Sequence, residues 1–399
     1  MMKRLAVLVL MMILLACLPV WALAENLTIG DGETVTLSGT LSVGYDIQLA
    51  GQATLVLDHV TITTTDYATL EINGTGSLNI IFKGTNTLIN HSGYGIFGPS
   101  VAVTLTPGSA DALFRIDNQG NDQGGITASR LALAEGAKVD VNSPGGNAVN
   151  VAELQVGANA VLNAKGGWHG IGVINSTIGR NARINAHGSL NGLWFYGLSY
   201  QRGYMIVEEG AEVKLYTDGA VDASGCPLYI SNGYIQLKSG AKVNALTDVT
   251  YAAVVVDNGS MIVEEGAALN GVSNRSDGLG LMMNDTSSIH INSENVTFSG
   301  GTRGAITRWL FGSVGDPGTI HLGPQIIAQH RNAATEPWEE MTGNTTNKRY
   351  FRTAKAPAMP APEGSAPKTG DESNVILWAV LAAVSMFGMI TLVRNRKEV

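Results

Sequence analysis

Apolar and polar residues alternate in short runs along most of the chain, and glycine or asparagine separates the runs. Met205-Ile206-Val207 precedes one such turn and Val213-Lys214-Leu215 follows it. An alternation with a period of two is typical of a strand with one buried side. No long segment between residues 25 and 352 has the periodicity of an amphipathic helix. The pattern therefore predicts an all-β body.

A short turn motif, Gly or Asn followed by Ala, recurs between these runs. Its copies begin at Gly136, Asn159, Asn181, Gly210, Gly240 and Gly266. Successive copies are 23, 22, 29, 30 and 26 residues apart. Gly and Asn give a corner its backbone freedom, and the small Ala can pack where two strands meet. Short strands with a period in the twenties predict a parallel β-helix over residues 25–300, one turn per period. A pair of β-sandwiches would explain the strands but not the recurrent corner.

The two ends of this body differ from its middle. Residues 27–118 have the same alternation with other corners, as in the run from Leu78 to Phe82. This stretch resembles clostridial carbohydrate-binding surface proteins with a right-handed β-helix, which implies that handedness and a sugar ligand. Residues 301–352 break the pattern with Trp309 and Trp338. We expect this segment to form a cap, because the open end of a solenoid exposes unpaired strand edges.

The first 24 residues are organised like a secretory signal peptide, which we assign to residues 1–24. Two basic residues stand near the start, an apolar stretch spans residues 5–18, and Ala22 and Ala24 form a small-x-small cleavage site. An N-terminal membrane anchor and lipidation at Cys17 are the alternatives. The pattern predicts export, with cleavage after Ala24.

The C-terminal segment, residues 366–399, contains four parts in a fixed order. It begins with Ala366-Pro367-Lys368-Thr369-Gly370. Four polar residues, an apolar run over residues 375–393 and a basic tail follow. Such a run is long enough to cross a bilayer as a helix, and the basic tail would stay in the cytoplasm. A single-pass tail anchor is the alternative.

This order of parts resembles the sorting signal of Gram-positive surface proteins that are sortase substrates. Their motif is Leu-Pro-x-Thr-Gly, and Ala366 stands here at the Leu position. The resemblance implies a membrane-anchored precursor, cleavage between Thr369 and Gly370, and transfer to a cell-wall amine. Sortase and peptidoglycan are therefore the expected partners. The Pro- and Ala-rich residues 353–365 would be an extended spacer across the wall, which predicts display at the cell surface.

Charge and cysteine content narrow the function classes. The chain has 399 residues, a formal net charge of −8 and 15% charged residues. Because no basic stripe is available to neutralise phosphates, we expect no nucleic acid partner. Outside the signal peptide the only cysteine is Cys226, so the exported chain can form no internal disulfide.

Aromatic residues are the candidate ligand-binding groups. The carbohydrate-binding candidates are Trp168, Trp194, Tyr196, Tyr200 and Tyr204. The long interval from Asn181 to Gly210 predicts a lateral loop, and loops on a rigid scaffold often carry binding groups. Within it, Trp194 and Tyr196 would face outward and Phe195 inward. The alternative is that the aromatic side chains fill the interior of the solenoid.

No catalytic residues are predicted, although many parallel β-helices cleave polysaccharides. The sequence has neither an Asp-Asp pair nor a Gly-His-Gly turn, and His169 is expected to be a corner residue. Asp218 and Asp222 near Lys214 come nearest to a lyase site. We expect no cofactor or metal; a calcium ion bound at such a site is the alternative. Four asparagines after the corners are expected to form ladders inside the stack, namely Asn163, Asn185, Asn244 and Asn270.

The sequence favours a wall-anchored β-helix that binds a polysaccharide or a host-surface glycan, as an adhesin would. A polysaccharide lyase or hydrolase with the same fold is one alternative. A passive stalk without a ligand is the other.

Overall fold

The computed structural model describes residues 24–197, 202–219, 225–308, 319–341 and 348–357, and its regular secondary structure there is entirely β. The first strands are β1 (Glu25–Ile29), β2 (Thr34–Leu41), β3 (Tyr45–Leu49), β4 (Gln52–Thr64), β5 (Ala68–Gly74), β6 (Ser77–Lys83), β7 (Thr85–Asn90), β8 (Tyr94–Pro107), β9 (Leu113–Asn118), β10 (Ile126–Leu133) and β11 (Lys138–Ser143). The next are β12 (Val149–Val156), β13 (Val161–Gly166), β14 (His169–Ile178), β15 (Arg183–Gly188), β16 (Asn191–Tyr196), β17 (Gly203–Val207), β18 (Glu212–Thr217), β19 (Cys226–Ser231), β20 (Gly233–Leu237), β21 (Lys242–Thr247) and β22 (Ala252–Asp257). The last are β23 (Ser260–Val263), β24 (Ala268–Ser273), β25 (Leu279–Met283), β26 (Ser288–Ile291), β27 (Asn295–Ser299), β28 (Ile306–Arg308), β29 (Thr319–Leu322), β30 (Ile326–Arg331), β31 (Glu339–Glu340) and β32 (Tyr350–Lys355).

The strands stack in parallel into three faces, which the chain visits in the order 1, 2, 3 in each turn. Face 1 contains β1, β3 and β5, the first parts of β8, β10, β12 and β14, and then β16, β19, β22, β25 and β28. Face 2 contains the first parts of β2 and β4, then β6, the second parts of β8, β10, β12 and β14, and β17, β20, β23, β26 and β29. Face 3 contains the ends of β2 and β4, then β7, β9, β11, β13, β15, β18, β21, β24 and β27. The predicted parallel β-helix is confirmed as a β-solenoid, and its handedness stays a prediction.

The recurrent Gly/Asn-Ala motif forms the corner between faces 2 and 3. Its first residues have positive φ between 55° and 76°: Gly136, Asn159, Asn181, Gly210, Gly240 and Gly266. The alanines that follow are completely buried: Ala137, Ala160, Ala182, Ala211, Ala241 and Ala267. At each of these corners the Ala N–H donates to the carbonyl three residues earlier, as from Ala211 to Glu208 at 3.1 Å. A positive φ at the third position is what a type II turn requires. The corner prediction is therefore confirmed.

The strand register reproduces the intervals between the motif copies. Lys138 pairs with Val161 across 23 residues, and Arg183 pairs with Glu212 across 29. Apolar side chains of successive turns therefore stack in rows inside the solenoid, as the completely buried register partners Leu70 and Ile96 do. Burial of these continuous rows is the main stabilising contribution.

Buried polar side chains lie where face 3 ends and the corner to face 1 begins. They are Asn90, Asn118, Ser143, Thr217, Thr247 and Ser273. The Asn118 amide donates to the carbonyls of Gln123 and Gly124, each at 3.0 Å. These side chains satisfy turn carbonyls that would otherwise be buried without partners.

The parallel stack continues past residue 300 through β28 and β29. After it, β32 pairs antiparallel with both β27 and β30, and the Phe351 ring packs against that of Phe298 with centroids 5.9 Å apart. The Thr353 hydroxyl donates to the Ser293 carbonyl at 2.7 Å. These contacts cover the end of face 3, and the compact unit that holds the described strands ends at Lys355.

Candidate functional site

An open groove of about 870 Å³ runs along the outer surface of face 3. Its walls come from seven successive strands of face 3, namely β7, β9, β11, β13, β15, β18 and β21. Levels of a parallel sheet lie about 4.8 Å apart, so the groove is about 29 Å long. Its shape suits a long ligand that lies across many turns.

A ladder of side-chain hydrogen bonds runs along one side of this groove. The amide of Asn163 donates to Oδ1 of Asp140 at 2.7 Å, and the amide of Asn185 donates to Oδ1 of Asn163 at 2.7 Å. At the end of the ladder, Nε of Arg115 lies 3.6 Å from Oδ2 of Asp140. Each amide keeps further donor and acceptor capacity, which is available to a ligand.

The expectation that the four corner asparagines lie inside the stack is wrong. Asn163 and Asn185 point outward because they alternate with Leu162 and Ile184, whose side chains are completely buried. Asn244 occupies the equivalent outward position in β21 and also lines the groove. Asn270 continues the row in β24 beyond the groove. The buried polar ladder at the corner uses other residues.

The other side of the groove carries a mixed aromatic and apolar strip. The rings of His187 and Tyr216 lie 5.1 Å apart on adjacent strands, and Leu246 follows on the next strand with 40% of its surface exposed. Nε2 of His187 lies 3.0 Å from Oδ2 of Asp218. The Tyr216 hydroxyl donates to Asp248 at 3.0 Å, and this hydrogen bond raises the pKa of Tyr216. The groove thus offers apolar area opposite a polar ladder.

The predicted contact residues Trp194 and Tyr196 lie on face 1 and not in a lateral loop. Trp194 and Tyr196 belong to the regular strand β16 and point outward, while Phe195 is completely buried, as its alternation predicts. The rings of Trp194 and Tyr196 are 4.5 Å apart, and His169 lies 4.7 Å from Trp194. The loop expectation is wrong for these residues because the additional residues of this turn follow β16. Burial raises the pKa of Tyr196, and its hydroxyl lies 3.5 Å from Oδ1 of Asn150.

The five predicted aromatic residues do not form one site. Trp168 is 52% exposed at the corner between faces 3 and 1, next to β14. Tyr204 lies on β17 of face 2, where its ring is 6.3 Å from that of Tyr234. Tyr200 lies outside the described residues. Among the described candidates, a ring contact therefore joins only Trp194 and Tyr196.

A second aromatic cluster on face 1 was not predicted. The ring of Tyr67, which is 54% exposed, lies 5.4 Å from Tyr94 and 5.2 Å from Phe97. Phe97 occupies the same outward row as Trp194, four levels and about 19 Å away. The row between them consists of Thr127, Asn150 and Gly172. Aligning the strands by turn would have revealed this row, whereas distance along the chain conceals it.

Two ionisable side chains of face 1, His169 and Cys226, are buried. Burial lowers the pKa of His169 to about 4, so its imidazole is neutral at pH 7. Burial also raises the pKa of the Cys226 thiol, which keeps the thiol protonated. The Asn191 amide donates to the Cys226 carbonyl at 2.9 Å. A neutral thiol in such surroundings is a poor nucleophile.

Several predicted features cannot be located in the structure. The described residues do not include the sorting motif at residues 366–370, Ala22 or Asp222. Ala24 is the first described residue. Among the described residues, no three His, Cys, Asp or Glu side chains are grouped so as to hold a metal ion. The same part of the chain contains no helix of sufficient length and hydrophobicity to cross a membrane. The predicted membrane span over residues 375–393 lies outside the described residues.

No protein-family model matches this chain, and no curated protein matches it.

Proposed function

We propose that the protein is a surface protein of a Gram-positive cell wall and that it binds a polysaccharide chain along face 3. The observation that carries this proposal is the groove with its ladder of Asp140, Asn163 and Asn185. The ladder presents a polar group at each level, about 4.8 Å apart. A repeating array of this kind matches a polymer that also repeats.

The two sides of the groove correspond to the two kinds of surface on a sugar. Amide and carboxylate groups bind hydroxyls, for which the ladder supplies donors and acceptors. The rings of His187 and Tyr216 and the exposed Leu246 provide apolar area against the faces of sugar rings. Trp168, which is exposed at the corner between faces 3 and 1, is a further candidate contact.

Face 1 offers a second contact region for the same ligand class. The outward Trp194 and Tyr196 form a tilted aromatic pair, and Asn150 lies beside it within reach of the Tyr196 hydroxyl. This arrangement supports the aromatic candidates Trp194 and Tyr196 as sugar contacts. Tyr204, on face 2, would need a separate ligand contact.

Export and wall attachment complete the proposal. Three features support them: the signal peptide pattern of residues 1–24, the resemblance of residues 27–118 to clostridial surface proteins, and the sorting motif at residues 366–370. In this proposal, sortase exchanges the Thr369–Gly370 peptide bond for an amide to peptidoglycan, and the solenoid is displayed outside the wall.

A polysaccharide lyase is the second candidate, because titratable groups line the groove. His187 and Tyr216 have adjacent rings, and Lys214 precedes Tyr216 by two residues on the same strand. A base, an acid and a cation near one another could perform elimination on an anionic sugar. Release of shortened chains would distinguish this activity from binding.

The test is calorimetric binding of the body, residues 24–357, to pectic, cellulosic and mucin glycans with and without calcium. An Asn163→Ala, Asn185→Ala double variant removes the ladder, and we expect binding to weaken roughly thirtyfold, since two hydrogen bonds contribute about 1 kcal/mol each. Asn270→Ala is the matched control, because it lies in the same row beyond the groove.

Unchanged binding in the double variant would exclude the groove as the site. A loss of binding only in a Trp194→Ala, Tyr196→Ala double variant would assign the ligand to face 1. Failure of every glycan to bind would favour the passive stalk.

A further inference from the structure

The first turn of the solenoid leaves its apolar rows incompletely covered. Its inward-facing residues Leu27, Val35, Leu37 and Leu41 are only half-buried. Their partners one level further along the stack are completely buried: Ile47, Leu55, Leu57 and Ile62. The same rows therefore need one more layer to be covered at this end.

Within residues 24–357 as described, the backbone of the first turn is also unpaired on one side. Among the described residues, β1 pairs only with β3, and β2 pairs only with β4. Natural edge strands usually carry lysine, proline or a covering segment that prevents further pairing. Strand β2 has the sequence TVTLSGTL, which contains no charged residue and no proline. At the opposite end, face 3 differs, because the antiparallel strand β32 with its Arg352 and Lys355 covers β27.

We propose that the open edge formed by β1 and β2 pairs with the same edge of a second copy of this chain. A two-fold axis through the middle of face 2, perpendicular to the stack, reverses the chain direction. Face 2 then pairs antiparallel with face 2 of the second copy, and each face 1 pairs with the other face 3. Such a contact closes as a dimer, because it uses the same surface on both copies.

The sequence of β2 is compatible with this symmetry. An axis centred on Thr36 places Thr34 opposite Ser38 and Val35 opposite Leu37. Inward residues then meet inward residues, so the apolar rows continue from one copy into the other. Thr36 is exposed and would face Thr36 of the second copy across the axis, where directly opposed side chains lie about 5 Å apart.

The charges near this edge do not oppose each other in the dimer. Asp31 and Glu33 lie at the corner between faces 1 and 2. The two-fold axis brings this corner against the corner between faces 2 and 3 of the second copy, which is the uncharged bend at Ser38 and Gly39. The acidic corners of the two copies therefore stay apart.

Sedimentation velocity of the body, residues 24–357, over a range of about 1 to 200 µM tests the proposal. We expect a concentration-dependent dimer. Thr36→Lys and Thr36→Glu should each be monomeric, because like charges then meet at the axis. An equimolar mixture of the two variants should dimerise again. The control is Gln48→Lys, an exposed position one turn further along that is paired on both sides.

Circular dichroism and melting temperature establish that each variant is folded. A parent that is monomeric throughout the range overturns the proposal and leaves the edge to the residues before β1 or to a foreign protein. A dimer that survives Thr36→Lys places the contact elsewhere, and large oligomers exclude the closed symmetry. Failure of the mixture to dimerise excludes the axis at Thr36.

Discussion

The side-chain amide of Asn185 donates a hydrogen bond to Oδ1 of Asn163 at 2.7 Å, across two adjacent turns of face 3. Because Asn163 donates in turn to Asp140, the orientation of each amide is fixed before a ligand arrives. Preorganised groups lose less conformational entropy when they bind. The ladder therefore links the repeat of the solenoid to its proposed function.

Replacing one amide of the ladder with a carboxylate tests its contribution to stability. In Asn163→Asp the new carboxylate faces Asp140, so a hydrogen bond becomes a like-charge contact. We expect the free energy of unfolding to fall by about 1 kcal/mol at pH 7 and to recover as acid neutralises one carboxyl group. Urea denaturation at pH 7 and pH 4, relative to the parent, measures this difference. An equal loss at both pH values would contradict the electrostatic explanation.

The buried alanines of the corner should not tolerate large side chains. Ala211 and Ala241 are completely buried where faces 2 and 3 meet. Phe at either position would overpack the corner, at a cost of roughly 1–3 kcal/mol or more. Calorimetry should show a lower melting temperature for both variants. Ala268→Phe is the control, since Ala268 immediately follows a corner alanine but points outward; similar melting of all three variants would mean that the corners are not tightly packed.

The buried imidazole of His169 should make stability depend on pH. Its pKa is lowered from 6.5 to about 4 in the folded protein, so below pH 6.5 the unfolded chain binds a proton that the folded chain does not. The stability linked to the neutral imidazole is fully present above pH 6.5 and is lost as the pH falls towards 4. It amounts to about 3 kcal/mol in the free energy of unfolding. Chemical denaturation between pH 4 and 7 should show a shallower loss for His169→Gln than for the parent. Parallel curves for the two proteins would exclude this role.

The corner and the register could be predicted from the sequence because they depend on local properties. A positive φ favours Gly or Asn at positions such as Gly210 and Asn181, and the same intervals then set the strand pairing. The outward direction of Asn163 could also have been obtained by counting from Ala160, since inward and outward residues alternate.

The grouping of the aromatic residues could not be obtained in this way. Trp194 and Tyr204 are close in sequence but lie on faces 1 and 2, because the extra residues of this turn separate β16 from β17. Tyr67 joins Phe97 through contacts across a corner. Where a turn of variable length places its extra residues depends on packing between levels, which the alternation pattern does not specify.

The thiol of Cys226 should be unreactive until the solenoid unfolds. It is completely buried, and burial raises its pKa, so very little thiolate forms at neutral pH. We expect no modification by a thiol reagent in native buffer and complete modification in denaturant. Gln48→Cys, which places a thiol at an exposed position, is the control for reagent activity. Rapid labelling of the parent under native conditions would show that the cluster around Cys226 opens readily.

The attachment proposed for the C-terminus depends on the peptide bond after Thr369. In Thr369→Ala the sortase would lose the residue whose carbonyl it transfers, so the protein should move from the wall fraction to the membrane fraction, where the apolar run of residues 375–393 would retain it. Lys368→Ala is the matched control, because the sorting motif accepts any residue at that position, and this variant should stay in the wall fraction. Fractionation with and without a peptidoglycan hydrolase distinguishes covalent attachment from adsorption. Recovery of the Thr369→Ala protein still linked to peptidoglycan fragments would exclude the sorting mechanism, whereas loss of both variants from the wall would point to impaired export.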